Sequence, residues 1–146
     1  MKKIVISGPI LSRSGYGEMA RFAMRSLVNI DNIELFIIPT NWGNTGNLFE
    51  CNQEKQLIDS IIQKTQAYLQ ETKGNTNFDV SIQVTIPNEW KKMASYNIGY
   101  TAGIETNMIS PAWLQPSMQM DKIIVISNHA KSGFTNTVFG DDKGNQ

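Results

Sequence analysis

A short apolar strand that passes through a glycine-rich turn into an amphipathic helix restricts the fold of this chain more than any other feature. The strand is residues 3–7, and the helix is expected from about Gly17, because Ala20, Ala23, Met24 and Leu27 recur at helical spacing along one face. Arg21 and Arg25 then fall on the solvent face. Gly8-Pro9, Ser12-Arg13-Ser14 and Gly15-Tyr16-Gly17 crowd turn residues into a single connection. A strand-to-helix junction of this kind is where α/β proteins bind phosphate-bearing ligands. Glycine admits positive φ there, and its missing side chain lets a ligand approach the amides at the positive end of the helix dipole. The other reading of these residues is an ordinary loop with convenient glycines.

Two phosphate motifs fail on this loop. A P-loop counted from Gly8 requires a second glycine where Arg13 stands. Gly15-Tyr16-Gly17-Glu18-Met19-Ala20 satisfies the local G-x-G-x-x-A form of a dinucleotide fingerprint. Its first glycine, however, lies well beyond Ser7, and the second strand, residues 33–39, runs into Thr40-Asn41 instead of ending on the acid that would hold a ribose. A nicotinamide-dependent reductase is therefore disfavoured.

Downstream the chain alternates strand and helix. Residues 33–39 form a nearly continuous apolar run, as expected for a strand covered on both faces. They lead into a loop rich in Gly and Asn that carries Trp42 and Phe49. A helix is expected over residues 53–73, with Leu57, Ile58, Ile61, Ile62, Thr65, Tyr68 and Leu69 on one face and Gly74 as its stop. Residues 79–86 alternate strictly, with Val80, Ile82, Val84 and Ile86 opposite Asp79, Ser81, Gln83 and Thr85. Pro87-Asn88-Glu89-Trp90 ends that strand. Residues 96–102 form a fourth strand, 103–107 a loop, 111–120 a helix interrupted by Pro116, and 122–126 a fifth strand; Ser127 caps a final helix. The expected fold is α/β: a Rossmann-like doubly wound parallel sheet with helices on both faces.

With 146 residues the chain is sized for one domain, and its 13 basic and 13 acidic residues cancel. A net charge of zero gives no electrostatic case for nucleic acid or an anionic membrane. Cys51 is the only cysteine and His129 the only histidine, so neither a disulfide nor a structural metal site is expected; a reducing cytoplasm is the expected compartment. Met1-Lys2-Lys3 begins like a signal peptide, but Gly8-Pro9 stops the apolar run too early, and no stretch is long enough to span a bilayer. Residues 140–146 are polar and glycine-containing, like a linker severed partway, and such a truncation is expected to leave an apolar patch uncovered.

The order of motifs is familiar. Gly8-Pro9 with Ser14-Gly15-Tyr16-Gly17, then Gly99-Tyr100-Thr101-Ala102-Gly103-Ile104-Glu105-Thr106, Trp113, Asp121-Lys122-Ile123-Ile124-Val125-Ile126-Ser127 and Phe134 follow one another over most of the chain. On these residues the sequence resembles the amino-terminal half of a GT-B glycosyltransferase of glycosyltransferase family four (group one-like). The Asn41-Trp42-Gly43-Asn44 and Pro87-Asn88-Glu89-Trp90 segments are similar to bacteriophage members. The resemblance implies transfer of a sugar from a nucleotide-sugar donor to a carbohydrate or other hydroxyl acceptor, of the retaining, hexosyltransferase-like kind, with no metal or other cofactor. The reaction would take place in a cleft between two Rossmann-like domains. Residues 1–139 would be the acceptor-side domain and 140–146 the truncated linker. The missing carboxyl-terminal domain carries the donor contacts, in many members including two glutamates separated by seven residues. No two glutamates here have that spacing. The isolated chain would then be inactive or weakly active.

Ligands of a doubly wound sheet bind outside the carboxyl ends of its strands, which ranks the candidates. Gly15, Tyr16 and Gly17 come first, with backbone amides facing donor phosphates or the acceptor. Gly17→Val is then expected to abolish transfer with little loss of stability. Glu105, directly after a strand, is the candidate catalytic carboxylate. Glu89 has the same placement, although Asn88-Glu89 also reads as a helix cap and first-turn acid. His129, at a helix amino terminus, would donate to phosphate or sugar. Trp42 would stack on a sugar ring or close the core, and Arg13 would pair with a phosphate. The alternative function is a stand-alone Rossmann-like nucleotide-binding or adaptor module without catalysis.

Overall fold

Strand and helix alternate along the computed structural model, which describes residues 1–103 and 107–138. The strands are β1 (Lys2–Gly8), β2 (Ile33–Pro39), β3 (Val80–Val84), β4 (Tyr96–Thr101) and β5 (Lys122–Val125). The helices are α1 (Gly15–Leu27), α2 (Gln53–Glu71), α3 (Pro111–Met118) and α4 (Asn128–Asn136). All strand pairs are parallel, in the order β2-β1-β3-β4-β5. This is the expected α/β doubly wound, Rossmann-like architecture. The polar tail 140–146 lies outside the described residues.

β1 carries Ile4, Val5 and Ile6 in succession, all buried, because the sheet is covered on both sides of it. Ile4, Ile6, Leu35, Ile37 and Val84 pack against Ala20, Ala23 and Met24 of α1 and Ile58, Ile61 and Ile62 of α2. Val5, Phe36 and Phe78 form a smaller cluster on the opposite face. α2 also closes the β2 edge, where the Ile37 N–H donates to Thr65 Oγ1 at 2.9 Å. It ends as expected, with Gly74 at φ +78° donating to the Leu69 carbonyl.

The polar face of β3 is buried, not solvated. Ser81, Gln83 and Thr85 are nearly inaccessible because the segment 86–95 folds over them. Gln83 acts as a strand partner for that segment: its Nε2 donates to the Lys91 carbonyl at 2.6 Å and its Oε1 accepts from the Lys91 N–H at 3.0 Å. Asn97 Oδ1 accepts from the Met93 and Ala94 N–H groups and from Ser81 Oγ. Polar side chains here satisfy the backbone of a covering loop, the task that apolar residues leave to a helix's own hydrogen bonds. Trp90 anchors the loop against Gly99, where an added Cβ would stand 2.6 Å from the indole ring.

Two expectations about the helices are corrected. Arg21 is buried, 6 % exposed, because the 8–14 turn folds back over α1; its Nη1 donates to the carbonyls of Ile10 at 2.7 Å and Ser12 at 2.9 Å. Pro116 does not interrupt α3, which continues through it to Met118.

Arg25 clamps α1 to α2 through Glu18 and Glu54. Hydrogen bonding to Arg25 holds both carboxyls below the usual carboxylate range. A depressed folded-state pKa stabilises above the unfolded value and is lost as pH falls through the folded one. The clamp is partly exposed, so its contribution is under about 1 kcal/mol. In Arg25→Gln this loss is expected at neutral pH and to vanish at acid pH below the ordinary value of 4.5. Urea denaturation of both proteins across that range checks it; an equal difference at both ends would contradict the clamp.

Candidate functional site

In this strand order the chain leaves β1 toward β2 and then returns past β1 to β3, so the connections diverge between β1 and β3. Ligands of open parallel sheets bind outside the carboxyl ends at such a point. A polar crevice of about 170 Å³ opens there, lined by Ser7, Gly8, Thr40, Gln83, Thr85, Glu89, Lys91 and Met93. Glu89 sits on a short 3-10 turn, Pro87–Glu89, and its carboxylate accepts from Thr85 Oγ1. The 86–95 segment thus both covers the sheet and supplies an acid and a lysine to the crevice wall.

The start of α1 follows the β1 exit at this end of the sheet, where Gly15 lines a separate hollow with Glu18, Met19, Phe22 and Tyr100. Ser14 caps the helix, its Oγ accepting from the Gly17 N–H at 3.0 Å. The Gly15 and Tyr16 N–H groups have no acceptor among the described residues. Gly15 is exposed, and a Cβ there would meet nothing within 4 Å. Gly17 is the opposite case. Its amide is used by the cap, and a Cβ would lie 2.3 Å from the Ser12 carbonyl oxygen and 2.9 Å from that of Pro9. Neither glycine has positive φ. The expectation that Gly17→Val spares stability is therefore corrected, because Gly17 makes room for the protein's own turn.

Tyr16 ties this helix start to two strand exits. Its hydroxyl pairs with Thr101 Oγ1 at 2.8 Å and accepts from the Ala102 N–H at 3.2 Å, at the end of β4. Its ring stacks on Trp42, from the loop after β2, with centroids 4.4 Å apart. β1 and β3 lie between those two exits in the sheet, so the aromatic pair frames the crevice region.

The remaining candidates fall elsewhere. Arg13 is exposed, with its guanidinium 5.3 Å from the centre of the exposed Phe49 ring, beside a separate shallow hollow. The 41–49 loop is strapped to this turn by Arg13 N–H to Gly46 O and Leu48 N–H to Leu11 O. His129 is exposed in the first turn of α4, beyond β5 and away from the crevice. Glu105 lies outside the described residues. Ser7, Thr40, Thr85, Lys91 and Thr101 were not singled out from sequence. Ser7, Thr40, Thr85 and Thr101 share only a position at the last residues of strands or just after them, and Lys91, within the covering segment between β3 and β4, lacks even that signal.

Among the described residues, this end of the sheet carries two amides without an acceptor, a crevice lined by polar side chains, a carboxylate that accepts a hydrogen bond, and an aromatic pair. Among the described residues no group of three or more His, Cys, Asp or Glu is placed to hold a metal, and no helix is long and apolar enough to cross a membrane. No protein-family profile matches the chain, and no curated protein or solved structure matches it either.

Proposed function

We propose that this chain is the acceptor-side domain of a glycosyltransferase that moves a sugar from a nucleotide-sugar donor to a hydroxyl acceptor, the donor-binding half being supplied by a further domain. The observation that carries this reading is the meeting, at one end of the sheet, of a polar crevice with the open amides of Gly15 and Tyr16 and the Tyr16–Trp42 stack. The amides suit a diphosphate at the positive end of α1. The crevice suits sugar hydroxyls, each of which needs a donor or acceptor of the kind that Ser7, Thr40, Thr85 and Glu89 supply. Glu89 would accept a hydrogen bond from the acceptor hydroxyl. Glu105 is proposed as the catalytic carboxylate, on the resemblance alone. No cofactor is assigned, and the cytoplasm is the proposed compartment.

Saturation-transfer NMR of the chain with nucleotide-sugars, nucleoside diphosphates and neutral oligosaccharides tests this. Binding of a sugar-bearing ligand is expected, and Trp42→Ala should weaken it about tenfold, the worth of one aromatic contact. Binding of bare nucleotide with no preference for the sugar would favour the non-catalytic nucleotide-binding module. Sugar binding unchanged in the variant would remove Trp42 from the site.

A further inference from the structure

Two buried polar side chains each hold one charged residue of the segment that covers β3. Gln83, 2 % exposed, grips the N–H and the carbonyl of Lys91, and Thr85, 7 % exposed, donates its hydroxyl proton to Glu89 Oε2. Gln83 lies in β3 and Thr85 just past its end, two residues on, so both project to the same side of the sheet. Glu89 and Lys91 are thereby fixed on the wall of one crevice. They do not neutralise each other there. No ion pair within 4.0 Å joins them, and among the described residues neither the Lys91 ammonium nor Glu89 Oε1 has a partner. Lys91 is also the one basic residue that lines this crevice. With its backbone pinned, its four-carbon stem keeps the ammonium within reach of a space this small. Two opposite charges mounted side by side and left unpaired match a ligand that carries a partner for each.

We propose that Lys91 is a specificity determinant for an acidic acceptor: the crevice takes a monosaccharide unit bearing an anionic group, carboxylate or phosphate monoester, which pairs with the Lys91 ammonium while ring hydroxyls donate to Glu89. This rests on the sugar-binding reading of the same crevice. Its volume of about 170 Å³ is below the ~300–1,000 Å³ typical of drug-sized ligand sites, and suits one ring. Hydroxyl groups are part of the requirement. An anion without them would meet the Glu89 charge and give it no hydrogen-bond donor, so a simple anion is a poor occupant. A neutral sugar, in turn, leaves the Lys91 ammonium without an anionic partner.

Titrating the isotope-labelled chain with glucose, glucuronate, glucose 6-phosphate and acetate, while following the amides of Thr85, Glu89 and Lys91, tests this. At least one of the two acidic sugars is expected to bind about tenfold more tightly than glucose, the worth of one charge-assisted hydrogen bond. The tighter of the two tells carboxylate from phosphate as the source of the charge. Lys91→Gln should bring the acidic sugars down to the level of glucose and leave glucose itself unchanged. The Gln83 grip is on the backbone, so this variant keeps its fold, which an unchanged melting temperature checks. Lys92→Gln, which removes an exposed neighbouring charge outside the crevice lining, should keep the preference. Equal binding of glucose and the acidic sugars would overturn the role of Lys91 and leave sugar binding standing. A preference that survives Lys91→Gln, or that Lys92→Gln also removes, would overturn it too, as would acetate binding as tightly as glucuronate. Silence of these amides toward every sugar would overturn both this inference and the sugar-binding reading.

Discussion

Trp90→Ala is expected to lower the unfolding free energy by about 3–5 kcal/mol, the range for emptying a well-packed aromatic site. Trp90 is 3 % exposed and lies flat against Gly99 in β4. Its ring stacks toward Phe134 of α4, with centroids 6.5 Å apart, and Phe134 in turn stacks toward Trp113 of α3 at 6.3 Å. Because α3 and α4 bury so little else, this aromatic row is their main hold on the sheet. The same side chain pins the loop that brings Glu89 and Lys91 to the crevice. Chemical denaturation should show the loss, with a fall in melting temperature of roughly 10 °C or more. Trp90→Phe, which keeps an aromatic ring over Gly99 and removes an indole N–H that has no hydrogen-bond partner among the described residues, should lose much less. A loss below about 1 kcal/mol in the alanine variant would place the anchoring of α3 and α4 elsewhere.

Gly17→Val is expected to cost about 3 kcal/mol, the upper part of the range for overpacking a close contact. The neighbour is backbone, the Ser12 carbonyl, which also accepts from buried Arg21 and so cannot move aside cheaply. Gly15→Ala is the matched control. Its Cβ enters open space at the first position of α1, so stability should hold or rise by about 0.5 kcal/mol as alanine replaces glycine in a helix. If the start of α1 binds a ligand, that same methyl group should weaken binding. One glycine would then report on folding and the other on the site. A Gly17→Val protein as stable as the parent would mean that the turn over α1 rearranges freely.

The order of elements was legible because each rests on local periodicity: the apolar runs of β1 and β2, the helical spacing in α2, and the caps at Ser127 and Gly74. What sequence could not carry was the return of the chain upon itself. Arg21 sits at a solvent position of the helical wheel, and only the fold of residues 8–14 over that face buries it and occupies the space beside Gly17. The alternation of β3 was plain, yet alternation does not say whether a polar face meets water or a loop. Here Gln83 and Asn97 give it a loop. The same limit applied to the site. Tyr16 and Trp42 could each be named as candidates, but their stacking joins residues on two separate connections, and the crevice gathers residues from the ends of β1, β2 and β3 that no spacing rule connects.

The central claim is that ligand binding takes place at the carboxyl ends of β1 and β3. Titrating the isotope-labelled chain with a nucleotide-sugar and with its candidate acceptor, while following backbone amide shifts, tests it most directly. Shifts are expected at Gly15 and Tyr16 with the nucleotide-sugar, and at Thr85, Glu89 and Lys91 with the acceptor, together with the Trp42 indole. Saturable shifts clustered on α2 or along β5, with these residues silent, would contradict the claim.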